Sequence, residues 1–163
     1  MKSLLILRHA KSSWKHPELP DHDRPLNKRG KKDAPRMGKL LRDENIIPEV
    51  IISSTAVRAR RTAEAVARAS AYSGKIILKK SLYAAGPEAY IEAIRSILDD
   101  HSIALIVGHN PALEELVELY TDETHLMPTC SLAYVRLSVD NWLDIDSQSR
   151  GKLVDIWLPR DLC

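Results

Sequence analysis

The chain has 163 residues, of which 44% are hydrophobic, and a formal net charge of +2. That length suits one domain spanning residues 1–163, with a core large enough to do without disulfides or a structural metal. The small net charge gives no reason to expect nucleic acid or a membrane surface as a partner. The two cysteines, Cys130 and Cys163, are too few and too far apart for a disulfide framework, so a reducing cytoplasmic setting is expected.

Apolar runs alternate with helical patterns along the chain, the signature of a parallel sheet covered by helices. The first run, Ser3–Leu7, is too short for a signal peptide or a membrane span and ends at Arg8. A stiff loop from Trp14 to Pro25, rich in proline, follows. A charged helix is expected from about Asn27 to Asp43, with Met37, Leu40 and Leu41 on its apolar side and Pro35 kinking it or marking its true start. Glu49–Ser53 forms a second strand, and Thr55 should cap a helix from Ala56 to about Ala71. Lys75–Leu78 is the third strand. A helix over Pro87–Asp99 follows, burying Tyr90, Ile91, Ile94 and Leu98. Ile103–Val107 is the fourth strand. Beyond it Asn110 can cap a helix with Pro111 at its first position and Leu113, Leu116, Val117 and Tyr120 inside. Ser131–Leu137 and Lys152–Leu158 alternate in polarity and should close the sheet as an antiparallel hairpin around a polar turn at 146–151. The expected architecture is α/β, a three-layer sandwich with a mostly parallel central sheet.

In such sheets ligands bind beyond the carboxyl ends of the strands. Arg8-His9 lies at one such end and His109 at another. A neutral imidazole can attack phosphorus, and a neighbouring guanidinium can grip phosphate oxygens with two parallel hydrogen bonds. Arg58, Arg60 and Arg61 crowd a helix start, where cations oppose the helix dipole. An i, i+4 pair with Glu64 accounts for Arg60, whereas Arg58 makes better sense beside a bound anion. His16, His22, Asp21 and Asp23 are close in sequence but match no strong metal-ligand spacing, so no metal is expected. No glycine-rich nucleotide-binding pattern is present.

Arg8-His9-Ala10, the segment Ser53…Arg58-Ala59-x-x-Thr62-Ala63, and Val107-Gly108-His109-Asn110-Pro111 together resemble the histidine phosphatase superfamily. Asp23-Arg24-Pro25-Leu26-Asn27-x-x-Gly30 resembles its SixA-type phosphohistidine phosphatase branch. The resemblance covers about two-thirds of the chain and implies a phosphoglycerate mutase-like fold. It implies His9 as nucleophile, with Arg8, Arg58 and His109 around the transferring phosphoryl group, and neither metal nor organic cofactor. Positioning and electrostatics carry phosphoryl transfer, so that division of roles makes physical sense.

Two departures bear on substrate. Many relatives place an asparagine six residues after the nucleophile, where this chain has Lys15; Lys11, Ser12 or Lys15 could take over that phosphate contact, and the sequence does not choose among them. Mutases and ester phosphatases of the superfamily present a glutamate after the third strand. Here Glu88 falls at an expected helix start, where it suits the dipole. Glu88 and the Asp21–Asp23 loop are the candidates for a general acid. Without one an alkoxide leaves poorly, whereas imidazole leaves readily, which favours a phosphorylated histidine on a protein and argues against a mutase. The competing expectations are a broad phosphatase for small phosphate esters and a catalytically silent phosphate or phosphoprotein binder. The physiological substrate and the oligomeric state are left open.

Overall fold

The structure, a computed structural model, describes residues 1–162; Cys163 lies outside them. The elements are β1 (Lys2–Arg8), α1 (Lys28–Asp43), β2 (Val50–Ser54), α2 (Val57–Ser70), β3 (Ile76–Lys79), α3 (Pro87–Arg95), β4 (Ile103–Gly108), α4 (Ala112–Thr121), β5 (Leu132–Leu137) and β6 (Gly151–Trp157). They form one six-stranded sheet in the order β3-β2-β4-β1-β5-β6. The first four strands in that order are parallel, and β5 and β6 add the expected antiparallel pair.

Period-two alternation sorts the strand side chains onto two faces. Leu4, Ile6, Ala104 and Ile106 pack with Tyr90, Ile94, Leu113 and Leu116 of α3 and α4. Leu5, Leu7, Leu105 and Val107 pack with Met37, Leu41, Ala59 and Val66 of α1 and α2. The central strands are therefore buried on both sides, which is why they are continuously apolar. No helix among the described residues is long and apolar enough to cross a membrane.

Helix ends depart from the sequence expectation wherever a side chain finds a tertiary partner. Thr55 does not cap α2; its hydroxyl shares a 2.9 Å hydrogen bond with His22 Nε2, and Ala56 occupies the N-cap position without a side-chain cap. Asn110 does not cap α4; its amide donates to the Met127 carbonyl at 2.9 Å, and the helix begins at Ala112 with Pro111 just outside it. The third helix stops at Arg95, the Ser96 hydroxyl donating to the Ala93 carbonyl at 2.6 Å, and Leu98 is 67% exposed rather than buried. The first helix keeps close to its expected span: Asn27 caps α1, accepting from the Gly30 amide at 2.9 Å, and the helix continues through Pro35. The loop between β5 and β6 is not wholly polar: Trp142 is fully buried there and donates from Nε1 to the His101 carbonyl.

Glycine is required at two close approaches. A Cβ on Gly30 would stand 2.2 Å from the Lys11 carbonyl oxygen, so α1 can press against the loop after β1 only with glycine there. A Cβ on Gly108 would stand 2.2 Å from the Tyr90 hydroxyl, which accepts from the His109 amide and donates to the Leu82 carbonyl. Gly108→Ala should therefore destabilise the protein by ~1–3 kcal/mol, the usual cost of overpacking, read as a lowered urea midpoint. An unchanged midpoint would contradict this packing.

Candidate active site

Strand register brings the two histidines together. Arg8 pairs with Gly108 across β1 and β4, and the His9 amide extends that ladder by donating to the Gly108 carbonyl at 3.0 Å. On the other side the His9 carbonyl accepts from the Cys130 amide at 2.9 Å. The nucleophile candidate is thus clamped by backbone on both flanks. Its ring lies 5.1 Å from that of His109, centroid to centroid.

From behind, Thr62 of α2 locks the segment. Its hydroxyl donates to the Arg58 carbonyl at 2.7 Å and accepts from the Ala10 amide at 2.9 Å. One side chain therefore ties the helix carrying Arg58 to the residue following His9.

A cavity of about 360 Å³ opens at this sheet edge, lined by Arg8, His9, Arg58 and His109. Lys11 and Ser12 also line it, whereas Lys15 does not and is exposed. His9 Nδ1 faces the Ala10 carbonyl at 2.8 Å. A carbonyl only accepts, so Nδ1 carries the proton and the lone pair sits on Nε2. Burial, aided by His109, Arg58 and Arg8, pushes the His9 pKa down to about 3. Burial, together with Arg58, takes His109 down to about 4. Both imidazoles are consequently neutral at pH 7. His109 Nε2 shares a hydrogen bond with the Ser54 hydroxyl at 2.9 Å.

Both arginines are held for the cavity. Arg8 donates from Nη1 to the Met127 carbonyl at 3.0 Å. Arg58, 8% exposed in the first turn of α2, donates to the Asp21 carbonyl at 2.7 Å and to its carboxylate at 3.0 Å. That carboxylate also accepts from Arg24 at 2.9 Å and from the Tyr83 hydroxyl at 2.8 Å. Partial burial acts to raise the Asp21 pKa, but the Tyr83 and Arg24 hydrogen bonds and the Arg58 charge outweigh it and hold the group below the usual carboxylate range.

The anion that Arg58 calls for at the helix start is met by a carboxylate from the loop after β1. Arg60 makes no ion pair with Glu64; Arg61 does, at 2.9 Å, and Arg60 Nε is buried without a partner. Glu88 lies outside the cavity, lining a separate depression with Ile91 and Arg95. His16 and His22 turn to Glu18 and Asp23, and among the described residues no three His, Cys, Asp or Glu side chains are placed to hold a metal ion.

From sequence, the exposed loop around Trp14–Pro25 is a candidate rim of the cleft, with no separate role for Trp14 or Arg24, and Tyr83 is missed; all three line the cavity. Arg24 is buried and stacks 3.3 Å from the centre of the Trp14 ring, with Ser12 accepting from its Nη2. The signal available was the Arg24-Pro25 step between the loop and Gly30.

The profile of the histidine phosphatase superfamily (branch 1) matches residues 4–82. A protein of Mycobacterium tuberculosis, uncharacterised in function, is 32% identical over 171 residues, covering 94% of this chain and 100% of that one. A crystal structure from Agrobacterium tumefaciens, provisionally assigned as the phosphohistidine phosphatase SixA, superposes with a TM-score of 0.82 at 30% identity, covering 97% of this chain and 98% of that one. The chain belongs to the histidine phosphatase superfamily. The protein histidine phosphatase SixA complexed with tungstate shares the fold, with a TM-score of 0.82 at 20% identity over 98% of each chain. This phosphoglycerate mutase-like fold and the SixA-type likeness support a phosphatase activity.

A bound phosphate dianion favours protonated imidazole, opposing the burial that lowers both pKa values. In NMR titrations the His9 and His109 rings should titrate below pH 5 in the free protein, and saturating vanadate should raise both. For stability the sign follows from pKa values lower in the folded than in the unfolded chain. The unfolded chain binds more protons below about pH 6.5, so stability should fall as pH drops from there through about 4 and 3.

Proposed function

We propose that the protein is a phosphohistidine phosphatase acting on a phosphorylated protein through a phosphoenzyme on His9. The observation that carries this reading is the state of Asp21. It is the acidic side chain that lines the cavity, and Tyr83, Arg24 and Arg58 hold it ionised. An ionised carboxylate has no proton to give a departing alkoxide. Imidazole, with a conjugate-acid pKa of ~6.5, leaves without such help. Phosphate on histidine suits this cavity better than phosphate on an alcohol.

In the first step the His9 Nε2 lone pair attacks phosphorus, the P–N bond to the substrate histidine breaks, and that ring, already protonated on its other nitrogen, departs with the bonding pair as neutral imidazole. Arg8, Arg58 and His109 face the phosphoryl oxygens and stabilise their charge. The Nδ1–H to Ala10 hydrogen bond stabilises the cation that forms on His9 as its Nε2 bonds to phosphorus. Water then attacks the phosphohistidine, releasing inorganic phosphate and restoring His9. None of these steps calls on a metal ion, and turnover in chelator is expected to equal turnover without it.

Turnover on a phosphohistidine peptide should exceed that on sugar phosphates, with phosphate trapped on His9 that is labile to acid and stable to base. His9→Ala should abolish both trapping and turnover. Arg58→Ala should cost ~10²–10³ in kcat, in the range of other oxyanion-stabilising groups, whereas Arg60→Ala leaves turnover near wild type. Faster turnover of sugar phosphates than of the peptide would instead indicate a broad ester phosphatase.

A further inference from the structure

The net charge of +2 conceals a strong segregation of charge between the two helical layers. Helices α1 and α2 together carry eleven Lys or Arg and three Asp or Glu. On the opposite face of the sheet, α3 and α4 carry one basic and five acidic side chains. Among the described residues, seven of the eleven cations on the basic face have no acidic side chain within 4.0 Å. Like charges held this close repel one another and cost stability, which a complementary partner would offset.

The basic face contains a groove of about 390 Å³ between α1 and α2, whose lining includes Pro25, Leu26, Lys31, Arg61, Glu64 and Arg68. The residues that line this groove follow those of the catalytic cavity along the chain. Arg24 lines the cavity, and the next two residues line the groove. Arg58 lines the cavity, and Arg61 and Arg68 follow on the same helix, about 4.5 and 15 Å farther along its axis at ~1.5 Å per residue. An extended segment covers that range in roughly two to five residues. Glu64 is already neutralised by Arg61, whereas Lys31 and Arg68 have no ionic partner among the described residues.

Resting on the phosphoprotein reading above, we propose that this groove docks an acidic segment of the protein substrate, with its carboxylates two to five residues from the phosphohistidine. Charge complementarity selects an acidic partner and would speed its encounter with the cavity. The acidic α3–α4 face of a second copy is the alternative source of negative charge. Because it lies on the opposite side of the sheet, that contact would be head-to-tail and would not close into a symmetric dimer.

The test compares two synthetic phosphohistidine peptides, one with glutamates two to five positions from the phosphohistidine and one with glutamines there, with phosphoramidate as a small substrate that cannot reach the groove. The glutamate peptide should show about 10-fold higher kcat/KM at low salt, an advantage that shrinks as ionic strength rises. The double variant Lys31→Glu/Arg68→Glu, at two exposed positions, should erase that advantage through KM while leaving phosphoramidate turnover unchanged. Equal kcat/KM for the two peptides, or a preference that survives in the double variant, overturns the docking proposal alone. Hydrolysis of phosphoramidate but of neither peptide overturns the phosphoprotein reading, and the docking proposal with it. Salt-sensitive self-association lost in the double variant would assign the groove to a second copy. Tighter binding of a single-stranded oligonucleotide than of the glutamate peptide would assign it to nucleic acid. Either result overturns the proposal.

Discussion

Parallel pairing of β1 with β4, in the register that sets Arg8 opposite Gly108, is the constraint on which the rest of the site depends. It carries one residue past the strands, where the His9 amide meets the Gly108 carbonyl and the His9 carbonyl meets the Cys130 amide. Both backbone groups of the nucleophile candidate are thereby fixed by its two neighbours in the sheet. A one-residue slip would exchange the buried faces of both central strands, so the apolar core enforces the register that the chemistry uses. Gly108 completes the arrangement by leaving room for the Tyr90 hydroxyl beneath the His109 amide.

Onto that rigid edge the fold brings two arginines and two imidazoles kept neutral by burial. Concentrating cations in a cavity is costly, and Asp21 offsets part of the cost by accepting from Arg58 and Arg24 at once. The same hydrogen bonds that make Asp21 a good counter-ion make it a poor acid. A phosphoryl group entering the cavity meets Arg58 already ordered, and the entropy of fixing that side chain has been met in folding.

The charge distribution extends the logic of the cavity outward. Helix α2 brings Arg58 to the cavity, and together with its neighbour α1 it bears seven cations without an acidic partner among the described residues, so a phosphorylated ligand arriving on this side meets positive charge beside the cavity. Near-neutral overall composition hides this, because the acidic helices lie across the sheet. Net charge sums over the molecule, whereas a partner meets one face.

What the sequence by itself determined is the set of strands and the residues at their carboxyl ends. Short continuous apolar runs bounded by turn residues read as strands of a covered sheet, and the side chain after a parallel strand of this kind emerges at the ligand-binding edge. Arg8, His9 and His109 were legible for that reason, and Arg58 because a cation at a helix start needs an anion. Only the tertiary structure decided which anion meets Arg58, where the helices begin and what surrounds the nucleophile candidate. Thr55 and Asn110 are good caps by local chemistry, yet His22 and Met127 claim their side chains. Asp21 and Arg24 reach the cavity from the loop after β1, and Tyr83 from the segment after β3. Such partnerships depend on where a long loop packs, and no short-range spacing encodes that.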